Sequence, residues 1–204
     1  MGRTATIRRM INADAFSLSV GAGMTRLAKV NVDISRSEGI DVLCSASNLP
    51  FRDGIFQEII FTDVIEHLPK GSEKITFSEL ERVLKNKGRI LLTTPNHRLL
   101  FTLLDPARWL TKHRHYTINQ INKMVRNTML NVESEGTFGD PLETLRLILM
   151  YSTYPIKRFI GFYPKLFFED HETPDQIRRD YLGYTLFIIA CKQSKNIASV
   201  EHDF

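Results

Sequence analysis

Cysteine is scarce in this chain: there are two in 204 residues, Cys44 and Cys191. Each ends an apolar run, Val42-Leu43-Cys44 and Ile188-Ile189-Ala190-Cys191, that reads as a strand. The sequence therefore predicts buried thiols and excludes a disulfide framework. Apolar runs long enough to span a bilayer are also missing. Residues 1–10 are basic but have no apolar stretch of signal-peptide length. The expected setting is a reducing one, the cytoplasm. Glycine and proline are too few for a fibrous or low-complexity chain, at 11 and 8 residues. No segment repeats another.

What is present suits one α/β domain over residues 1–192 with a polar tail at 193–204, since 204 residues bury one continuous core and are too few for two full ones. Net charge is +4 but unevenly spread: residues 85–126 hold nine Lys and Arg against one acid, Asp105. Such a stretch either steers an anionic partner to one face or is a solvated surface.

Hydrophobic patterning sets out the elements. Residues 16–20 alternate and stop at Gly21-Ala22-Gly23, a strand entering a glycine turn. A second strand covers 29–32 and ends at Asp33. Only eight residues separate Val20 from Lys29, fewer than the dozen or more of a helical crossover, so the first crossover helix is predicted to be shortened or absent. Strands three and four follow at 41–44 and 56–62. A one-sided helix is predicted over 72–86, closed by Lys87-Gly88, and strand five over 89–94. Thr117-Ile118-Asn119-Gln120 is a capping box opening a helix to about residue 128. Residues 131–138 and 185–191 read as the last strands.

The fold class predicted from this order is α/β, a Rossmann-like, mostly parallel sheet of about seven strands with an antiparallel edge. Ligands of such sheets bind beyond the carboxyl ends of the strands, so the residues just after each strand carry the functional argument. Gly21 and Gly23 let a ligand approach the backbone closely. Arg26 stands where a dinucleotide fingerprint needs a third glycine, which disfavours a nicotinamide or flavin. Asp33 ends strand two, where a carboxylate accepts hydrogen bonds from both hydroxyls of a ribose; its other reading is a cap for the turn at Ser35.

Leu18-Ser19-Val20-Gly21-Ala22-Gly23, Val32-Asp33-Ile34, residues 45–53, Thr62-Asp63-Val64-Ile65-Glu66-His67-Leu68, residues 80–89 and Thr93-Thr94-Pro95-Asn96 together resemble, in order and spacing, class I methyltransferases related to the ubiquinone and menaquinone biosynthesis enzymes. The resemblance implies S-adenosylmethionine as cofactor. It implies that Gly21 and Gly23 face the methionine part, Asp33 the ribose, Ser45 and Ala46 the adenine edge, and that Thr62 and Asp63 border the transferable methyl, with Ala22 and Ile34 also at the cofactor. Two positions depart from the family, which carries acids where Ser19 and Ser45 stand. The short first crossover is a third departure, and leaves one sheet face to be covered by the N-terminal arm or a partner subunit.

Asp63, Glu66 and His67 match positions that bind a divalent cation in some quinone O-methyltransferases, but the same Glu-His pair is common without metal, and no metal is expected here. Where an acceptor must lose a proton, His67, His97 and His115 are the candidate bases, because imidazole titrates near neutral pH. With little N-terminal extension to act as a lid, segments 96–128 and 139–184 are expected to roof the acceptor site. The second is rich in aromatic residues, among them Tyr151, Phe159, Phe162 and Phe168. These read as an apolar pocket for a small, amphiphilic or anionic acceptor, as a rim for peripheral membrane contact, or as the segment's own core. A homodimer is a further expectation. The alternatives are an RNA or protein methyltransferase, although no nucleic-acid-binding module is visible, and a non-catalytic binding protein.

Overall fold

The computed structural model describes residues 2–96, 114–139, 177 and 183–194. These contain α1 (Gly2–Met10), β1 (Ser17–Val20), β2 (Val30–Asp33), β3 (Val42–Leu43), β4 (Phe56–Thr62), a single 3-10 turn (Ile65–His67), α2 (Glu73–Val83), β5 (Leu84–Pro95), α3 (Ile118–Arg126), β6 (Leu130–Phe138) and β7 (Thr185–Lys192). The strands form one seven-stranded sheet in the order β3-β2-β1-β4-β5-β7-β6. β1 through β5 run parallel, while β7 is antiparallel to both β5 and β6. This is the predicted α/β class with its antiparallel edge.

Alternation along the strands divides the core. Ile90, Leu92, Ile188 and Ala190 join Phe77, Leu80 and Val83 of α2 and Ile121 and Val125 of α3 on one face. On the other face Leu91, Phe138 and Phe187 pack with Ile7 and Met10 of α1, and Leu27 joins them. The N-terminal arm thus covers the second face, as the short crossover requires.

No helix lies between β1 and β2. Side chains hold that loop instead: Asn31 Oδ1 accepts from the amides of Leu27 (3.2 Å) and Ala28 (3.3 Å), and Arg26 pairs with both oxygens of Asp41. Asp41 also accepts from the Asn31 amide at 2.8 Å, which with Arg26 holds its carboxyl below the ordinary range.

Three boundaries correct the expectation. α2 stops at Val83, not residue 86, and β5 begins at Leu84, five residues early. The Lys87-Gly88 pair lies inside the strand, where Lys87 takes the positive φ of 61°. Gly88 is there for close approach: a Cβ would lie 2.8 Å from Leu84 Cδ1 and 3.0 Å from the Gln57 carbonyl oxygen. Lys192, at the end of β7, caps α2 by donating to the carbonyls of Glu81 (2.6 Å) and Leu84 (2.8 Å). β3 shrinks to two residues. Cys44 and Cys191 are half-buried free thiols, more exposed than expected: Cys44 lies just past β3, and Cys191 is the next-to-last residue of β7. The capping box at Thr117 and Gln120 forms as read.

Among the described residues, no helix is long and apolar enough to cross a membrane. Most of segments 97–113 and 140–182, and the tail beyond residue 194, lie outside the described residues, and with them His97 and the aromatic residues named above.

Candidate active site

Four strand ends build one cleft of about 320 Å³. Its wall runs from Val20 and Gly21 at the end of β1, through Asp33 and Ile34 at the end of β2 and Cys44, Ser45 and Ala46 after β3, to Asp63 and Val64 after β4. His67, Leu68 and Pro69 close its side. β1 lies between β2 and β4, the point where strand order reverses, so the connections leave in opposite directions and open a crevice. The volume is at the lower end of the roughly 300–1,000 Å³ usual for small-molecule sites.

Gly21 has φ +71°, and a Cβ there would lie 2.3 Å from Val64 Cγ2. The glycine lets the ends of β1 and β4 meet. Its amide and that of Ala22 donate to the Val32 carbonyl at 2.8 and 3.0 Å, and the Gly23 amide donates to Asp33 Oδ2 at 2.9 Å. All three amides turn toward β2, so the turn offers no amide nest for a pyrophosphate. That agrees with Arg26 standing in place of a third glycine.

Asp33 is held at both oxygens, since Oδ1 accepts from the Ser35 amide at 2.8 Å. A carboxylate has about four acceptor sites, so two amides orient it and leave room for two hydroxyls. The capping and ribose readings of Asp33 are therefore compatible. Ser45 walls the cleft with its hydroxyl 2.9 Å from that of Ser47. Ser19 is buried in β1. Neither supplies the carboxylate that the family carries. Ile34 is 77% exposed, an apolar side chain beside Asp33 with little protein around it. Ala22, Gly23 and Thr62 do not wall the cleft; Gly23 acts on it through Asp33.

Asp63 leaves β4 at φ 54°, a left-handed conformation costly for a residue with a side chain. Its amide donates to the Thr93 carbonyl at 2.9 Å, its Oδ1 accepts from Thr93 Oγ1 at 3.2 Å, and its Oδ2 pairs with Arg3 of α1. The N-terminal arm, expected only to cover a sheet face, thus also reaches the cleft wall. Sequence reasoning missed Arg3 because sixty positions separate it from Asp63; the one signal was the run of basic residues before Ile11.

Glu66 is 3% exposed and accepts from Thr94 Oγ1 at 3.1 Å. Burial raises its pKa to about 7, against the pull of the Arg3 and Arg114 guanidinium groups. A carboxyl whose folded pKa exceeds its unfolded value keeps its proton longer in the fold, so stability falls as pH rises from about 4.5 to about 7. Replacing Glu66 by Gln should flatten that fall and raise the melting temperature most at pH 8. A difference in melting temperature between wild type and Glu66→Gln that stays constant across pH 5–8 would mean that Glu66 does not change protonation there.

His67 stands at the cleft side, where desolvation lowers its pKa from the ordinary imidazole value and favours the neutral ring. His115 does not wall the cleft. It lies between Arg114, which grips Glu73 and the Leu68 carbonyl, and Tyr116, whose hydroxyl donates to Glu73 at 3.2 Å. Among the described residues no three His, Cys, Asp or Glu side chains gather as a metal site would need. Asp63 turns to Arg3 and Thr93, and Glu66 to Thr94, which separates the trio that the sequence placed together.

Residues 3–92 match the family model described as a methyltransferase domain. The fold matches that of a SAM-dependent methyltransferase from Thermotoga maritima with a TM-score of 0.64, at 14% identity over 92% of this chain and 86% of that one. Residues 3–92, a little under half of the chain, are thus similar to a methyltransferase domain, on a fold shared with SAM-dependent methyltransferases. S-adenosylmethionine is the cofactor of that domain class. The domain is also 34% identical over 89 residues to the Bos taurus protein named "Probable tRNA methyltransferase 9B", an overlap of 36% of this chain and 20% of that protein. The chain therefore spans about a fifth of that relative's length. The [4+2]-cyclase SpnF shares the methyltransferase fold as well, with a TM-score of 0.59 and 16% identity over 93% of this chain and 78% of that one. The fold alone thus does not fix the reaction.

Proposed function

We propose that this chain transfers the methyl group of S-adenosylmethionine to a small, amphiphilic or anionic acceptor. The observation that carries the reading is the rim shared by the glycine turn and Asp33, where a carboxylate oriented by two amides faces an apolar cleft at the sheet's switch point. In it Asp33 holds the ribose, Ile34 and Ala46 flank the base, Ser45 meets the base edge, and Gly21 leaves room for the methionine part. Asp63 borders the methyl end. The bound cofactor supplies a methyl group already activated on a sulfonium, so the protein's task is in-line positioning and exclusion of water. His67, neutral and on the cleft wall, accepts the acceptor's proton where one must leave.

An RNA acceptor is the second reading, favoured by the likeness to a protein named as a tRNA methyltransferase. That likeness covers 36% of this chain, so it bears on the cofactor half more than on the acceptor. α1 packs over the sheet face left open by the short crossover, one of the two coverings expected there.

Calorimetric titration of the full chain with S-adenosylmethionine should give a single site of micromolar dissociation constant. A folded chain that evolves no heat at millimolar cofactor would overturn the proposal. Labelled methyl transferred into total tRNA, and not into small-molecule extracts, would move the acceptor to the second reading.

A further inference from the structure

α1 is held unevenly along its length. Its last turn is anchored: Ile7 and Met10 are buried against Leu91, Phe138 and Phe187, the Met10 carbonyl accepts from Arg89 at 2.8 Å, and the following Asn12 amide donates to Glu58 at 2.9 Å. Its first turn reaches the active site through Arg3, which pairs with Asp63 while both side chains remain about one-quarter exposed. Asp63 is also part of the cleft wall. The same carboxylate therefore serves the helix and the cleft. Arg114, the other guanidinium nearby, is committed to Glu73 and to the Leu68 carbonyl. Glu66 is buried, takes its hydrogen bond from Thr94 and also feels the Arg3 charge.

The methyl donor carries a positive sulfonium, whereas the product S-adenosylhomocysteine carries a neutral thioether. A cation next to Asp63 competes with Arg3 for it, and a thioether does not. We infer that Arg3 sets the balance between donor and product: its guanidinium neutralises Asp63 and lowers the cleft's preference for the cationic donor. By thermodynamic reciprocity, donor binding loosens the first turn of α1 and product binding leaves it latched. The inference rests on the adenosyl reading of the cleft and on Asp63 lying at its methyl end.

The test is the ratio of dissociation constants for S-adenosylhomocysteine and S-adenosylmethionine, measured by calorimetry at low salt on the full chain. Arg3→Gln should shift the ratio toward the donor on the order of 5-fold, as expected for a partly exposed ion pair. Asp63→Asn should shift it the other way, and Arg3→Lys should keep the wild-type value. An unchanged ratio in Arg3→Gln and Asp63→Asn, with both ligands still bound, overturns the inference. Equal shifts in Arg3→Gln and Arg3→Lys overturn it too, because packing and not charge would then be acting. A wild-type chain that binds neither ligand fails the adenosyl reading itself, a different result because no ratio then exists.

Discussion

Replacing Asp33 by Ala is expected to weaken S-adenosylmethionine binding about 10-fold or more, the loss that follows when a charge-assisted hydrogen-bond pair to the ribose is removed. The side chain also orders its surroundings, because Oδ2 holds the Gly23 amide and Oδ1 the Ser35 amide. Part of the loss therefore comes through a looser glycine turn. Asp33→Asn separates the two contributions: it keeps one acceptor for an amide while removing the charge, and its affinity should lie between wild type and Ala. Titration calorimetry of the three proteins decides the matter. Equal affinities in wild type and Asp33→Ala would refute the ribose assignment.

Gly21→Ala should destabilise the fold by about 2 to 4 kcal/mol, combining an unfavourable left-handed backbone for Ala with overpacking at the ends of β1 and β4. The backbone is at φ +71°, and the added methyl would lie 2.3 Å from Val64 Cγ2. Those two terms separate in a double variant. Val64→Ala in the Gly21→Ala background removes the clash and leaves the backbone penalty, so it should restore part of the stability and not all of it. Urea unfolding of the set measures this coupling. A Gly21→Ala midpoint equal to that of wild type would mean the strand ends relax freely, and that the turn is not the rigid wall described above.

The two experiments test different properties of one rim. In the proposed site Asp33 acts on the ligand through its lone pairs. Gly21 acts through shape, because it allows β1 and Val64 to approach and so fixes where the cleft begins. Both were legible in the sequence for the same reason: they follow strands whose alternation is strong and whose carboxyl ends face the ligand side in any parallel sheet. Ser45, Ala46 and Asp63 were legible on that ground as well, and the structure brings all of them to one cleft.

Less was legible where the chain departs from local rules. Lys87-Gly88 looked like a helix end because a basic last turn and a glycine usually mean one; instead, β5 begins at Leu84 and Gly88 is selected by its approach to Leu84 and Gln57. Glu66 and His67 are neighbours in sequence. The turn after β4 separates them, burying the first against Thr94 and leaving the second on the cleft side, so that one carboxyl is pushed up in pKa and one imidazole down.

By itself the sequence determined the strand order's α/β class, the missing first helix, the capping box at Thr117, and the glycine turn and carboxylate that meet at the cleft rim, because each depends on spacing within a few residues or one turn. Tertiary structure alone decided that Arg3 meets Asp63, that Lys192 caps α2 and that Glu66 is desolvated. Those contacts join residues that are distant in the chain, and burial and Coulombic pairing depend on distance in space, which no local pattern encodes.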